Sequence, residues 1–263
     1  MLQTLFSLFG RRIVKNFISK IKNRKPAFYE TEPILDYFVK YSRKGFMLDV
    51  GCHYGEASQD FLEMGWSVIA FEPDKENLKI IPPHSSRKMY EYAVAETDGQ
   101  IVPFYLSATS TGISSMSAFE SGHQLAYNVE TISLRTVISK ENITTIDFLK
   151  VDVEGHDYFA LLGFPFETHK PEMIMCEFED NKTIPLGYTY KDMADLLVKY
   201  DYDIWVAEWY PIIRYGNEQK WRCINQYPCN LVDKNGWGNM IAMRKDCSQK
   251  FAEVLKETMK TFE

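Results

Sequence analysis

The sequence predicts an α/β protein built on one doubly wound, mostly parallel sheet with helices on both faces. Three observations predict it. Strand-like and helix-like runs alternate along most of the 263 residues, the pattern of linked βαβ units. One apolar run ends in Asp49-Val-Gly51-Cys-His53-Tyr-Gly55, a glycine-punctuated turn that leads into a helix. A much later run ends in Lys150-Val-Asp152-Val-Glu154-Gly155-His156, with two carboxylates at the strand end. Charged groups are seldom buried unpaired, and ligands of open parallel sheets sit beyond the carboxyl ends of strands. Both ends therefore point to a small-molecule site.

The elements follow in chain order. Thr31-Glu-Pro33 opens a helix, with Thr31 as the expected cap and proline early, where it is tolerated. Ile34, Leu35, Phe38 and Val39 give that helix its apolar face, and Gly45 lies beyond its end. Strands are expected at 46–50 and 67–71, with a helix at 56–64 between them and Gly65 as its stop. The second strand closes in Glu72-Pro73-Asp74, and Asp74 suits the cap of the next helix. Runs at 89–94 and 101–106 read as strands joined by a turn at Thr97-Asp-Gly99. Further strands fit 129–134, 146–153, 173–178, 202–206 and 239–243. Helices fit 134–139, 157–162, 190–200 and 248–259.

Two stretches interrupt the alternation. Residues 107–128 are rich in Ser, Thr and Gly, with Met116 and Phe119 as isolated apolar points. A connector of that length suggests a lid or binding loop. Residues 207–237 carry Trp209, Tyr210, Tyr215, Trp221, Tyr227 and Trp237 and read as an aromatic insertion near the site.

Bulk properties narrow the function. A chain that is 45% hydrophobic can fill one large core. A net charge of −6 argues against nucleic acid as partner. Five scattered cysteines form no CxxC pair, which argues against zinc and fits a reducing, cytoplasmic setting. Residues 1–25 contrast with the rest, holding seven basic and no acidic residues at roughly amphipathic helical spacing. One reading is a helix on an anionic membrane surface. The favoured reading is a helix docked on the domain or on a second subunit, since amphipathicity is ordinary in surface helices. The expected organisation is a basic segment at 1–30 followed by a single domain at 31–263.

The glycine loop also bears on the cofactor. Glu72 lies 23 residues past Asp49 at the end of the second strand, where an acid can accept hydrogen bonds from ribose hydroxyls. Both NAD and S-adenosylmethionine offer such a ribose. The NAD fingerprint G-x-G-x-x-G requires glycine where this chain has His53. A ligand with a ribose and no pyrophosphate fits better, with Asp49 and the loop amides facing an ammonium and a carboxylate.

At this point the chain resembles the FkbM-type family of S-adenosylmethionine-dependent methyltransferases. The resemblance rests on Leu48-Asp-Val-Gly51 with Gly55, Phe71-Glu-Pro73, Ala93-Val-Ala95 with Asp98-Gly99, Thr131-Ile-Ser-Leu134 and, above all, Ile146-Asp-Phe-Leu-Lys150-Val-Asp-Val-Glu-Gly155. It implies a class I methyltransferase, Rossmann-like, with a seven-stranded sheet and S-adenosyl-L-methionine as cofactor. Asp49, Gly51, His53, Gly55, Glu72, Pro73, Ala93 and Asp152 are the expected cofactor contacts. It implies a hydroxyl of a sugar or natural product as the acceptor. The chain departs from the family at Cys52-His53, where Ala-Asn is common, and at Arg135, where an acid is usual.

Methyl transfer to a hydroxyl gains from a general base. Asp152 is the first candidate and His156 the second. Glu154 reads as a candidate cap for the following helix, and Lys150 as an ion-pair partner. Glu177, Glu179, Asp180 and Asn181 with Asp152 present oxygen ligands that suit Mg²⁺, but the expectation is that no metal is held. The leading function is O-methylation of a sugar, glycan or glycolipid precursor. An NAD-linked oxidoreductase and a non-catalytic binding protein are the alternatives.

Overall fold

The computed structural model describes residues 28–41, 44–214, 219–260 and 262. The basic stretch at 1–25 and Tyr215 lie outside these residues. The chain enters through helix α1 (Thr31–Lys40), then β1 (Phe46–Val50), α2 (Glu56–Glu63), β2 (Ser67–Phe71), α3 (Lys75–Ile80), β3 (Arg87–Tyr90), β4 (Ala93–Val94) and β5 (Ile101–Ser107). It continues through β6 (His123–Ile132), α4 (Leu134–Lys140), β7 (Phe148–Val151), α5 (Asp157–Leu162), β8 (Met173–Glu179) and the short α6 (Asp180–Thr183). The last elements are α7 (Tyr190–Lys199), β9 (Tyr202–Trp209), β10 (Trp221–Gln226), β11 (Trp237–Arg244) and α8 (Lys245–Met259).

Eight strands form the main sheet in the order β10-β9-β11-β8-β7-β1-β2-β3. β3, β2, β1, β7 and β8 pair in parallel. β11 runs against both β8 and β9, and β10 runs against β9. The chain starts at β1, moves out through β2 to β3, and returns to the other side of β1 at β7. This reversal puts the ends of β1 and β7 side by side, where doubly wound sheets open a crevice. The seven strands expected are exceeded by one, because part of the aromatic stretch pairs as β10 on the edge.

Residue alternation along each strand supplies two cores. On one face Leu48, Ile69, Leu149 and Ile174 pack with Val137 of α4, Leu161 of α5 and Met193 of α7. On the other, Met47, Val68, Phe148 and Met175 pack with Phe38 of α1, Phe61 of α2 and Phe251 of α8. Helices on both faces explain why the central strands read as unbroken apolar runs.

Three local expectations need correction. The turn at Thr97–Gly99 closes no hairpin, because β6 lies between β4 and β5 in a separate three-stranded sheet. Asp98 instead accepts from Ser133 N at 2.7 Å and from Thr136 Oγ1 at 2.7 Å, fixing the start of α4. Thr31 is the first residue of α1 and does not cap it; the cap position is Glu30, which makes no side-chain cap bond. Glu30 accepts from the Trp209 indole instead. The stretch expected as a loop at 107–128 is a loop only to 122, since β6 begins at His123. The Asp74 cap is present, with its Oδ1 accepting from Glu76 N at 2.9 Å.

Candidate active site

The turn after β1 is shaped by backbone crowding. Gly51 has φ +73°, and a Cβ there would stand 1.8 Å from the Asp152 carbonyl oxygen. Only glycine lets the ends of β1 and β7 approach this closely. Gly51 N and Cys52 N both donate to Phe71 O at 3.0 Å, binding the turn to the end of β2. His53 follows with φ +51° and donates its backbone N–H to Glu72 Oε2 at 2.8 Å. Its ring stacks on Tyr54 with centroids 3.7 Å apart, and its Nε2 lies 3.0 Å from Thr111 Oγ1 of the 107–122 loop.

A cavity of about 590 Å³ opens between this turn, the end of β2 and the 107–122 loop. Gly51, His53, Glu72, Pro73, Ala93 and Asp152, all expected at the site, line it. Asp49 and Gly55 do not. Asp49 is fully buried beneath the turn, 3.8 Å from Lys150 Nζ. Gly55, with φ +79°, begins the approach to α2 beside the Arg87 guanidinium.

Glu72 is 5% exposed. Its Oε1 accepts from Asp74 N at 2.8 Å. Burial pushes its carboxyl up to about 7, against the pull of the Asp74 and His53 amides. Each carboxylate oxygen can accept more than one hydrogen bond, so a ribose diol would complete its set. Asn77, on the inner side of α3, also lines the cavity, and its buried Oδ1 has no hydrogen-bond partner among the described residues. The buried Ser114 Oγ on the opposite wall is likewise unpartnered. A buried carboxylate with spare capacity and two unmet polar atoms fit a nucleoside with several hydroxyl and amine groups.

The end of β7 is organised by charge. Lys150 is 6% exposed and donates to Gly51 O at 3.0 Å. Its Nζ lies 3.2 Å from Asp152 Oδ2. Burial disfavours this ammonium, but Asp152 and Asp49 outweigh it and hold the pKa above the ordinary lysine value. Lys150 thus ties the glycine turn to the carboxylate at the next strand end. The Asp152 side chain is 36% exposed and faces the cavity.

Beyond Asp152 lies a denser network. Carboxylate oxygens of Asp152, Glu154 and Glu177 come within 4.8 Å of one another. Lys182 of α6 enters this group, with its Nζ 2.5 Å from Glu154, 2.8 Å from Glu179 and 3.4 Å from Glu177. An ammonium supplied by the chain therefore sits among the acids that the sequence offered as metal ligands. Asp180 accepts from Tyr190 N at 2.7 Å, and Asn181 is exposed. Burial raises Glu154 to about 7, opposed by Lys182; burial and then the Asp152 charge raise Asp157 to about 7. Glu154 does not cap α5, whose N-cap is His156 without a side-chain bond.

The 107–122 loop closes over this end. Ser115 bridges to Tyr105, and its Oγ donates to Glu154 O at 2.9 Å. Ser117 Oγ lies 2.8 Å from His156 Nε2, and Phe119 covers Lys182 with Nζ 4.8 Å from the ring centre. The structure does not bring His156 to the cavity wall. Burial lowers its pKa to about 4, which keeps the imidazole neutral at neutral pH. The described aromatics of 207–237 lie elsewhere. Trp209 meets Tyr29 and Trp237, Trp221 meets Phe28, and none of them lines the cavity.

Sequence reasoning missed Asn77 and Lys182. Asn77 is signalled only by its place just after the Asp74 cap. A lone lysine three residues past Glu179, the end of β8, is the signal for Lys182.

Fold and site together define a Rossmann-like α/β protein with a cavity at the β1–β7 switch point whose polar lining fits a nucleoside. The family model "Methyltransferase FkbM domain" matches residues 49–204, and the chain belongs to that family. It is an S-adenosylmethionine-dependent methyltransferase, so the NAD-linked and non-catalytic alternatives fall. No curated protein matches the chain. Solved structures with a related fold include an O-methyltransferase from Bacillus cereus in complex with SAH, at 11% identity and TM-score 0.44, covering 86% of each chain. Magnesium protoporphyrin IX methyltransferase from Synechocystis with bound SAM has 8% identity and TM-score 0.39, over 81% of this chain and 77% of that one. Precorrin-6y C5,15-methyltransferase from Geobacter metallireducens has 11% identity and TM-score 0.39, over 80% of this chain and 87% of that one. At such scores these likenesses carry no weight beside the family match.

Proposed function

We propose that the protein methylates a hydroxyl group of a sugar, glycan or glycolipid precursor, with Asp152 as the general base. The observation that carries this reading is the Asp152 carboxylate on the cavity wall, held 3.2 Å from Lys150 and left 36% exposed. S-adenosylmethionine supplies a methyl group already activated by its sulfonium. What remains for the protein is in-line positioning and removal of the hydroxyl proton. Glu72, with its amide-anchored oxygens, would hold the ribose. Pro73, Ala93 and Asn77 would border the nucleoside. Lys150, with its Nζ 3.2 Å from Asp152 Oδ2, fixes the direction of that carboxylate. The sugar class rests on the family resemblance.

No helix among the described residues is long and apolar enough to cross a membrane. All five cysteines are free, which supports a cytoplasmic setting.

The test uses S-adenosylmethionine labelled in the methyl group and a panel of sugars and glycolipid precursors. The expected product carries an O-methyl group by NMR. Activity should persist in EDTA and fall at least 100-fold in Asp152→Asn, in line with general-base catalysis. Methyl transfer to nitrogen or carbon, or full activity in Asp152→Asn, contradicts the reading.

A further inference from the structure

Sheet order gives the cavity two ends. Glu72, Pro73 and Asn77, which follow β2, mark one. Phe148 of β7 and Met175 of β8 mark the other. β2 and β8 lie three strand spacings apart, roughly 14 Å. Asp152, just past β7, stands between the two ends. The second end is an apolar arm. Phe148, Lys150 and Asp152 alternate onto one face of β7, and Met175 is the register partner of Lys150 on β8. Lys150 turns its ammonium to Gly51 O and Asp152, which leaves Phe148 and Met175 as the floor. Ile34 and Leu35 of α1 with Ala57 and Phe61 of α2 cover this floor. Ile34, Phe61, Phe148 and Met175 are each no more than 4% exposed. The polar residues on this side, Tyr29, Thr31, Glu56 and Asp60, are half-buried or exposed. The arm is therefore apolar in its depth and polar at its mouth.

A bare sugar needs polar groups around its ring, because every hydroxyl that loses water must find a new partner. The floor of this arm offers none. We propose that the acceptor is an amphiphile, a hydroxyl-bearing unit joined to an alkyl or aryl group, and that the apolar group fills this arm while the hydroxyl meets Asp152. The proposal rests on the O-methylation reading and narrows its acceptor class. In the transfer the methyl–sulfur bond breaks and its electron pair stays on sulfur. The methyl group bonds to the acceptor oxygen, and the hydroxyl proton passes to Asp152 and then to solvent. The apolar group takes no part in that exchange; it sets which hydroxyl reaches the carboxylate. Each CH₂ buried in such an arm raises affinity about fourfold, so a few carbons separate an amphiphile from the free sugar. Leu35, Ala57, Phe148 and Met175 are then specificity determinants for the acceptor.

The test uses N-phenyl-1-naphthylamine, an uncharged fluorophore that brightens in apolar surroundings, with the full chain saturated by S-adenosylhomocysteine. The expected result is one probe bound per chain. Octyl β-glucoside below its micelle concentration should displace it if the arm takes an alkyl group, and phenyl β-glucoside if it takes an aryl group. Glucose and methyl β-glucoside at tenfold higher concentration should not. Ala57→Leu, which fills the arm with a good helix former, should weaken the probe at least tenfold while S-adenosylhomocysteine affinity changes less than threefold. Leu35→Gln should weaken it in the same direction if Ala57→Leu does not fold. No bound probe, or a probe unmoved in both variants, overturns the inference. Release of the probe by S-adenosylhomocysteine overturns it by giving the arm to the cofactor. Labelled methyl reaching glucose and the two amphiphilic glucosides equally overturns it and leaves the O-methylation reading standing. Methyl transfer to a nitrogen or carbon of an amphiphile overturns that reading instead and leaves the apolar arm as the acceptor site.

Discussion

The glycine turn after β1 and the acidic strand end after β7 face one cavity but are held by different forces. At the turn the determinants are backbone: two amides on Phe71 O, two more on Glu72, and a glycine with no room for a side chain. At the acidic end they are side chains drawn from β7, β8, α6 and the 107–122 loop. The difference teaches which perturbation each region resists. The turn should be intolerant of volume and indifferent to distant charge. The acidic end should tolerate changes of shape but not an unpaired charge.

The largest effect is expected at the turn. Gly51→Val adds a β-branched side chain at φ +73° and at a position where Cβ would already meet the Asp152 backbone at 1.8 Å. Such a clash belongs with the exceptional destabilisations, above about 4 kcal/mol. Urea denaturation monitored by circular dichroism should show a large loss of midpoint or no folded protein. A wild-type midpoint would mean that β1 and β7 can separate without cost.

At the acidic end the comparable experiment is Lys182→Met, which keeps the bulk of the side chain and removes the charge. Taking one partner from a buried ion cluster typically costs about 3–5 kcal/mol. The loss should shrink as pH falls, because Glu154 and Glu177, both raised by burial, can then shed their charges. Equal destabilisation at pH 5 and pH 8 would show that packing under Phe119, not charge, is what Lys182 supplies.

The same contrast explains what was legible in the sequence. Gly51, Glu72 and Asp152 sit at strand ends inside short local motifs, so their spacing revealed both the sheet and the cavity they line. The alternation of apolar residues located nearly every strand and helix of the domain. Lys182 meets Glu154 across 28 positions, and Asn77 matters only because α3 turns it inward. No local pattern encodes those meetings. The false hairpin at Thr97–Gly99 arose for a related reason, since its signal was local while β6 came in from elsewhere to pair with both neighbours. The aromatic stretch misled because rings serve packing as readily as recognition; here they anchor β9 and β10 to Phe28, Tyr29 and Glu30.

A pH series sharpens the comparison at moderate magnitude. Glu30, Glu72, Glu154 and Asp157 are raised to about 7, so the folded state binds more protons than the unfolded chain between the ordinary carboxylate range and neutrality. Their contribution is full below that range and is lost as pH rises through about 7. His156, lowered to about 4, acts in the opposite sense: its contribution is present above 6.5 and is lost as pH falls through about 4. The ligand-free protein should therefore melt higher near pH 5.5 than near pH 8, by on the order of 5 °C. Glu72→Gln should flatten part of that slope. A melting temperature that rises steadily from pH 5.5 to 8 would contradict the burial of these acids.

The smallest effect belongs to the loop. Ser117→Ala removes the bond to His156 Nε2 at 2.8 Å and should cost about 1 kcal/mol. The readout is limited proteolysis within 107–122, which should quicken while global unfolding stays nearly constant. Unchanged cleavage would show that Ser115 and Phe119 hold the loop without it.

Titration of S-adenosylhomocysteine into the wild type and Glu72→Ala tests the central claim, that the cavity beside Gly51 and Glu72 is the cofactor site. Hydrogen bonds to a charged group are worth about 1.5–3 kcal/mol, so affinity should fall roughly 10- to 100-fold with the protein still folded. An unchanged dissociation constant in folded Glu72→Ala would place the cofactor elsewhere and contradict the account.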